Sequence, residues 1–416
     1  MMTRRILALI LIFFCASIAW FILGATIFSR TNDVDKKLQE QVASTWGSPQ
    51  EQTPPTASYT VLISKKVQTT LPDGKVSEHI ETVPSEVPLP LDGTDAEVNL
   101  NLEYRQKGLL WYSLYKVNFG GAFNFHNTSS KAETVLFRFK FPAQQAIYDD
   151  FVMSVNDTPA AVTNQEGIAT ATALVPAGGD VRLRVNYRSQ GLESWYYSFG
   201  GSVEQVRKFR LHMTTDFKKI DFPENTLSPT ARQTTDTGWD LTWAYNNLVS
   251  GFRIGMPMPQ KLQPGPLAGQ ISFFAPVSLF FFFFLMFIIT TMRGIDLHPM
   301  NYFFLAGAFF AFHLLLAYTA DLISLHLAFI ICSLVSMFLV VSYLRLVVGI
   351  RFAAIEAGLA QFVYLVLFSY AFFFKGLTGL TITIGAIVTL FVVMQMTGRI
   401  RWSEKFAEQK QVARTM

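Results

Sequence analysis

From Ile271 to Thr397 the chain is almost unbroken apolar sequence, in stretches too long for a soluble core to bury. It opens with Leu279, runs through five phenylalanines from Phe280 to Phe284, and continues with Leu285. Only short polar punctuation interrupts it. The solvent that suits such a segment is hydrocarbon, where each backbone N–H and C=O has to be paired within the chain. The segment therefore reads as a set of membrane-crossing helices.

Composition sharpens that reading. The chain is 50% hydrophobic and 15% charged, against about 25% charged in average soluble domains. The average hides a split. Residues 29–270 carry scattered charges and turn residues like an ordinary soluble domain, and residues 271–398 do not. A formal charge of +4 with no dense basic patch speaks against nucleic acid as a partner. Cys15 and Cys332 both sit in apolar segments, so the polar domain has no disulfide and no cysteine metal site.

The first apolar stretch, Ile6–Phe28, follows Arg4-Arg5. It is longer than the ~7–15-residue core of a signal peptide and lacks a small-x-small cleavage site, so it reads as an uncleaved anchor. Five further spans follow at about 271–292, 300–320, 322–344, 352–374 and 376–397. Each is near the ~20 residues that cross ~30 Å of hydrocarbon. With the N-terminus inside, Arg4, Arg5, Arg293, Arg345, Arg351, Arg399, Arg401 and Lys405 all fall on the cytoplasmic side. The opposite short loops hold only Lys375. This bias places both chain ends in the cytoplasm and residues 29–270 outside it, in the periplasm of a Gram-negative cell.

Residues 29–58 read as a stalk, with a short helix over Asp33 to Gln41 and a break from Ser48 to Ser58 at Pro49, Pro54 and Pro55. From Tyr59 to residue 245 the signals are those of strands. Residues 96–104 and 181–187 alternate with period two, and 59–63, 112–127, 133–141, 147–156, 168–175, 205–215 and 239–245 are further candidates. Short intervals rich in Gly, Pro, Asn and Asp separate them, the spacing of an antiparallel β-sandwich. The expected core is Val135, Phe137, Phe139, Leu183, Val185, Phe209 and Leu211. Residues 246–270, with four prolines, read as an irregular connector back to the membrane. The fold class is thus an α+β membrane protein: an N-terminal anchor, an extracytoplasmic β-sandwich, a C-terminal five-helix bundle and a cytoplasmic tail over 399–416.

Chemistry is sparse. No zinc-protease, nucleophile-elbow, P-loop or dinucleotide motif is present. His79, His126 and His212 stand apart, and Asp149-Asp150 reads as a solvated turn. Trp195-Tyr196-Tyr197, followed by Phe199, suits sheet packing better than a ligand groove. In the spans, ionisable groups are costly and draw functional suspicion. His313, Asp321 and His326 are set against two readings: a proton- or ion-responsive cluster, or interfacial turn residues with one interhelical hydrogen bond. Glu356 reads as the partner of an arginine at the turn between Arg345 and Arg351.

The order of parts resembles the CreD family of bacterial inner-membrane proteins. Trp46-Gly47-Ser48-Pro49-Gln50 is similar to that family's Trp-Gly-x-x-Gln stretch after the first span. Glu103 to Gly108, including Arg105, followed by Tyr115 and Phe119 to Phe123, resembles its Arg-Tyr-Arg-Gly stretch and Gly-x-Phe strand. His298-Pro299-Met300-Asn301-Tyr302 resembles its His-Pro-x-x-Tyr, and Arg399 to Trp402 its closing Arg-x-x-Trp. Pro54-Pro55 stand where the family has Gly-Pro and the β domain diverges, as in a divergent subfamily. The resemblance implies envelope integrity, stress tolerance and no established catalytic residue. Trp46, Gly47, Gln50, Arg105, Gly108, His298, Pro299 and Tyr302 are the positions that match.

The expectation is a non-catalytic protein of the inner membrane. It needs no cofactor or metal and binds an envelope protein, glycan or lipid through the sandwich. An ion or lipid transporter, or an intramembrane enzyme, built on His313, Asp321 and His326 is the first alternative. A sensor feeding a regulatory partner is the second. Nothing in the sequence sets the oligomeric state.

Overall fold

A computed structural model describes residues 2–70, 76–107, 110–144, 146–200, 203–374 and 376–398. Two compact units divide the chain. One takes in Met1–Lys37, Gln106–Leu110 and the chain from Leu262 on, and the other Leu38–Arg105 and Trp111–Lys261.

The β unit is built from strands β1 (Gln50–Gln52), β2 (Thr56–Thr70), β3 (Val76–Pro88), β4 (Leu91–Lys107), β5 (Leu110–His126), β6 (Glu133–Lys140), β7 (Tyr148–Val155), β8 (Thr158–Pro159), β9 (Thr163–Gln165), β10 (Ile168–Val175), β11 (Asp180–Leu192), β12 (Ser194–Tyr197), β13 (Glu204–Thr215), β14 (Ala231–Thr234), β15 (Trp239–Ser250) and β16 (Ile254–Pro257). Among the described residues they form a sheet ordered β3-β2-β6-β10-β9, one ordered β14-β15-β13-β4-β5-β11-β7-β8, and a small one ordered β1-β12-β16.

The two larger sheets face one another across an aromatic layer. Phe125 of β5 meets Phe137 of β6 edge-on with ring centres 5.8 Å apart, and Tyr187 of β11 lies 6.2 Å from Phe139 of β6. All seven expected core residues are buried, because period-two alternation turns alternate side chains inward. Each such Phe, Leu or Val contributes about 1.5–3 kcal/mol relative to exposure. The unit is not purely antiparallel: β1 pairs with β12, and β13 with β4, in parallel. Residues far apart in sequence can pair this way because a long connection replaces the tight hairpin. Tight hairpins appear where two left-handed residues sit together, at Asn156-Asp157 and at Glu166-Gly167.

Three segments differ from the sequence reading. The stalk expected over 29–58, with its short helix, is instead the continuation of one helix, α1 (Met2–Trp46), followed by β1 and the start of β2. Charged residues past Phe28 end an apolar span, but they do not end a helix. β3 falls where no strand was expected, and it carries Pro84 and Pro88. Both lie on a strand at the edge of its sheet, where a missing N–H costs no ladder bond. The irregular connector over 246–270 holds the end of β15, all of β16 and the start of α2 (Pro264–Arg293). Pro264 and Pro266 fall in the first turn of that helix, where N–H groups have no intrahelical acceptor anyway.

The remaining helices are α3 (Pro299–Thr319), α4 (Leu325–Val347), α5 (Phe352–Phe373) and α6 (Thr378–Thr397). With Arg5–Asn32 of α1, six helices among the described residues are long and apolar enough to cross a bilayer. Within the helical unit α2 lies close against α1. A Cβ on Gly265 would meet the Thr31 hydroxyl at 2.5 Å, and one on Gly269 the Phe28 ring at 3.1 Å. The phenylalanine run points all ways round α2: Phe282 and Phe283 are buried while Phe280 and Phe284 are exposed. Helix α5 is irregular, with π-helical turns over Phe352–Ala357 and Phe362–Leu367.

Candidate functional site

The edge of the β unit carries a cleft of about 740 Å³, framed by Phe141, Tyr148, Phe151, Gln144, Asn164 and Glu166. Three elements assemble it. Phe151 and Tyr148 come from β7, Phe141 follows β6, and the left-handed Glu166-Gly167 turn between β9 and β10 closes one side. The Phe141 amide donates to the Gly167 carbonyl at 3.1 Å, tying that turn to the aromatic floor. The Phe141 ring sits 4.4 Å from the Tyr148 ring and 5.0 Å from the Phe151 ring, centre to centre. The Tyr148 hydroxyl donates to the Ala143 carbonyl and accepts from the Ala143 amide, each at 2.8 Å. Burial pushes the Tyr148 pKa up to about 12, so the phenol stays neutral and acts as a hydrogen-bonding group. The lining includes no Ser, Cys, His, Lys or Arg. Such a surface offers apolar faces, amide donors and acceptors, and one carboxylate at its rim. It can hold a neutral or weakly cationic molecule, and it places no nucleophile beside a base.

The matched positions near the end of α1 gather in the β unit. Gly47 has φ of +97°, and a Cβ there would run into the Gln190 carbonyl, so the turn that ends α1 needs glycine. Gln50 is buried and donates to the Ser189 hydroxyl at 2.8 Å and to the Gln190 carbonyl at 3.1 Å. These contacts seat β1 on β11. The Arg105 guanidinium lies over the Trp46 ring, 5.3 Å from its centre, which unites two motifs far apart in sequence. Gly108 lies outside the described residues. Tyr115 donates to the Ser194 carbonyl at 2.7 Å, and Tyr187 to Gln52 Oε1 at 2.9 Å. Burial holds both phenols well above the usual tyrosine range. Trp195 and Tyr197 are buried as sheet packing. Asp149 and Asp150 both reach Arg188, at 3.1 and 2.5 Å. His126 pairs with Asp180 at 2.8 Å and His212 with Asp240 at 2.9 Å, while the side chain of His79 lies outside the described residues.

In the helical unit His298 caps α3, its Nδ1 accepting from the Met300 amide at 3.3 Å, and Pro299 takes the first helical position. Tyr302 is buried with its hydroxyl 3.5 Å from Thr290 Oγ1. The structure does not bring His313, Asp321 and His326 together by any hydrogen bond or ion pair. Nδ1 of buried His313 donates to the Phe309 carbonyl at 2.9 Å. Asp321 faces Arg30 at 3.6 Å. His326 lies against the Phe373 ring, 5.0 Å between centres. Each of the three has its own partner: His313 on its own helix α3, Asp321 on α1 and His326 on α5. Glu356 pairs with Arg293, on α2, rather than with Arg345 or Arg351. No group of three metal-ligating side chains stands among the described residues.

The cleft was missed in the sequence. Phe141, Tyr148, Phe151 and Asn164 follow no spacing, and only the sheet edges bring them together.

No family model matches the chain, and no curated protein matches it. Among solved structures, that of a candidate nutrient binding protein from Legionella pneumophila is similar over 57% of this chain and 76% of that one. The identity is 10% and the TM-score 0.33, a likeness too slight to bear on function.

Proposed function

We propose that this chain is a multi-pass inner-membrane protein that holds an envelope component in the cleft of an extracytoplasmic β unit, without catalysis, and so supports envelope integrity. The aromatic cleft carries the reading: it is an open groove with polar and apolar surface in similar measure, and amide side chains at its border can fix an orientation. Six long apolar helices support the membrane part, as do the exposed Leu334, Phe338, Leu390 and Phe391. Arg5 pairs with Asp296 at 2.6 Å, which puts the start of α1 and the end of α2 at one end of the helical unit. Arg293, Arg345 and Arg351 belong to that same end by the alternation of the spans, which supports a cytoplasmic assignment for it. The dispersed surroundings of His313, Asp321 and His326 disfavour an ion transporter or intramembrane enzyme built on them.

The test is photocrosslinking in living cells from Val162, at the cleft wall, in the full-length protein. An envelope component should be captured, and Phe151→Ala should lower capture about tenfold, as loss of a central aromatic anchor does. Capture that is unaffected by Phe151→Ala overturns the cleft as the binding site. A reporter fused after Met416 that works only outside the cytoplasm overturns the topology.

A further inference from the structure

The middle of the helical unit holds several buried polar side chains among its apolar ones. Ser278 of α2, Ser336 of α4, Gln361 and Tyr364 of α5, and Thr389 of α6 each stand within about two residues, ~3 Å, of the middle of their own helix. All are buried, Ser336 and Gln361 completely. They are joined. The Gln361 amide donates to Ser336 Oγ at 2.8 Å, and the Ser336 hydroxyl donates to the Ala308 carbonyl, mid-α3, at 2.7 Å. The Ser278 hydroxyl donates to the Tyr364 carbonyl, and the Tyr364 hydroxyl to Thr389 Oγ1 at 2.9 Å.

The network leaves acceptors over. A serine hydroxyl donates once, and Ser336 spends its proton on Ala308. The part of Gln361 facing Ser336 must therefore be the NH₂, which makes Oε1 the end without a donor. Near this layer, His313 donates from Nδ1, so its Nε2 is a second acceptor, also without a partner. Its ring lies 5.6 Å from that of Trp20, whose buried indole N–H has no acceptor either. Each group buried without a partner costs about 1–3 kcal/mol, and lipid tails supply none. The five side chains include no Asp, Glu, Lys or Arg, so nothing here counterbalances an ion.

We propose that this layer is a hydrated binding site for small uncharged hydrogen-bond donors, water first among them, with the Gln361 carbonyl as its principal acceptor. The site lies on an irregular helix. Gln361 ends the short α-helical turn between two π-helical stretches of α5, and such bulges recur where a helix serves a function rather than mere packing. Polar residues buried at mid-helix bond across helices or face a hydrated interior, and an acceptor left without a donor fits the second.

The test uses the full-length protein in lipid vesicles, with Cys15→Ser and Cys332→Ala as background and methanethiosulfonate ethylammonium as the probe. The reagent attacks thiolates, which form where water reaches. Ser336→Cys and Gln361→Cys should react about tenfold faster, or more, than Leu334→Cys and Phe338→Cys on the lipid-facing surface. Equal and slow rates overturn the proposal. Equal and fast rates overturn it as well, and the bilayer reading with it. Where a cysteine variant does not insert, the unaltered chain decides. In water-edited solid-state NMR, magnetisation should reach the Gln361 side-chain amide before the backbone amides of Leu359 and Val363, and later arrival overturns the site.

Discussion

In the β unit Phe137, Leu183 and Val185 are wholly buried while Arg182 and Asn186 stand exposed. In the helical unit Phe338 is 69% and Leu334 63% exposed, while Ser336 and Gln361 are wholly buried. Both interiors are mainly apolar, but the outer surface of the helical unit is apolar as well, and its interior adds a few buried polar side chains. Water makes burial of apolar area the main driving force of the first. In the second, whose outer surface is itself apolar, close packing and buried hydrogen bonds are the contacts that distinguish one helix face from another.

The contrast can be broken most sharply by matched deletions. Phe137→Ala should cost about 3–5 kcal/mol, and Phe338→Ala about 0.5 kcal/mol or less, read as urea midpoints of the β unit and detergent-unfolding midpoints of the helices. Similar losses at both positions would remove the distinction. Gly47→Ala should cost roughly 1–3 kcal/mol, because it combines a left-handed backbone with a clash against Gln190. Proteolysis at residues 46–52 should then rise, while cleavage within the helices stays unchanged.

Alkali should act on the β unit through its tyrosines. Folding raises the Tyr148 pKa from 10 to about 12. Its contribution is complete below pH 10 and disappears as pH climbs through about 12. The loss should be at most about 2 kcal/mol after solvent screening, and Tyr148→Phe should flatten it in melts taken across that range. Ser336→Ala, which takes a partner from Gln361, should cost about 0.6 kcal/mol, the mean for a hydrogen bond between membrane helices. A loss above 3 kcal/mol would mean that packing, rather than one bond, is at stake there.

Much of this architecture could be read in the residues. The alternation of Val181 to Tyr187 announced an inward face, and the run from Leu279 to Leu285 announced a helix for hydrocarbon. What escaped was whatever depends on neighbours distant in sequence. A strand carrying Pro84 and Pro88 is tolerated at a sheet edge, and an edge position cannot be seen in the residues themselves. The charges after Phe28 hide the continuation of α1, because an apolar window measures solvent preference and not helicity. The π-helical turns of α5 leave no periodic mark. Arg293 and Glu356 belong to different spans, so proximity along the chain pointed to the wrong arginines. The cleft residues share no motif and meet only once two sheets have stacked.

The phenylalanine run of α2 leaves that helix with no preferred side. Delivered half a turn out of phase, it would meet its neighbours with rings just as greasy as before, and hydrophobicity would raise no objection. What a wrong rotation would forfeit is the notch of Gly265 and Gly269, the Ser278 and Thr290 hydroxyl contacts and the pairing of Arg293 with Glu356. The address that tells this helix where to dock is thus written in a handful of atoms, on a surface whose bulk says nothing.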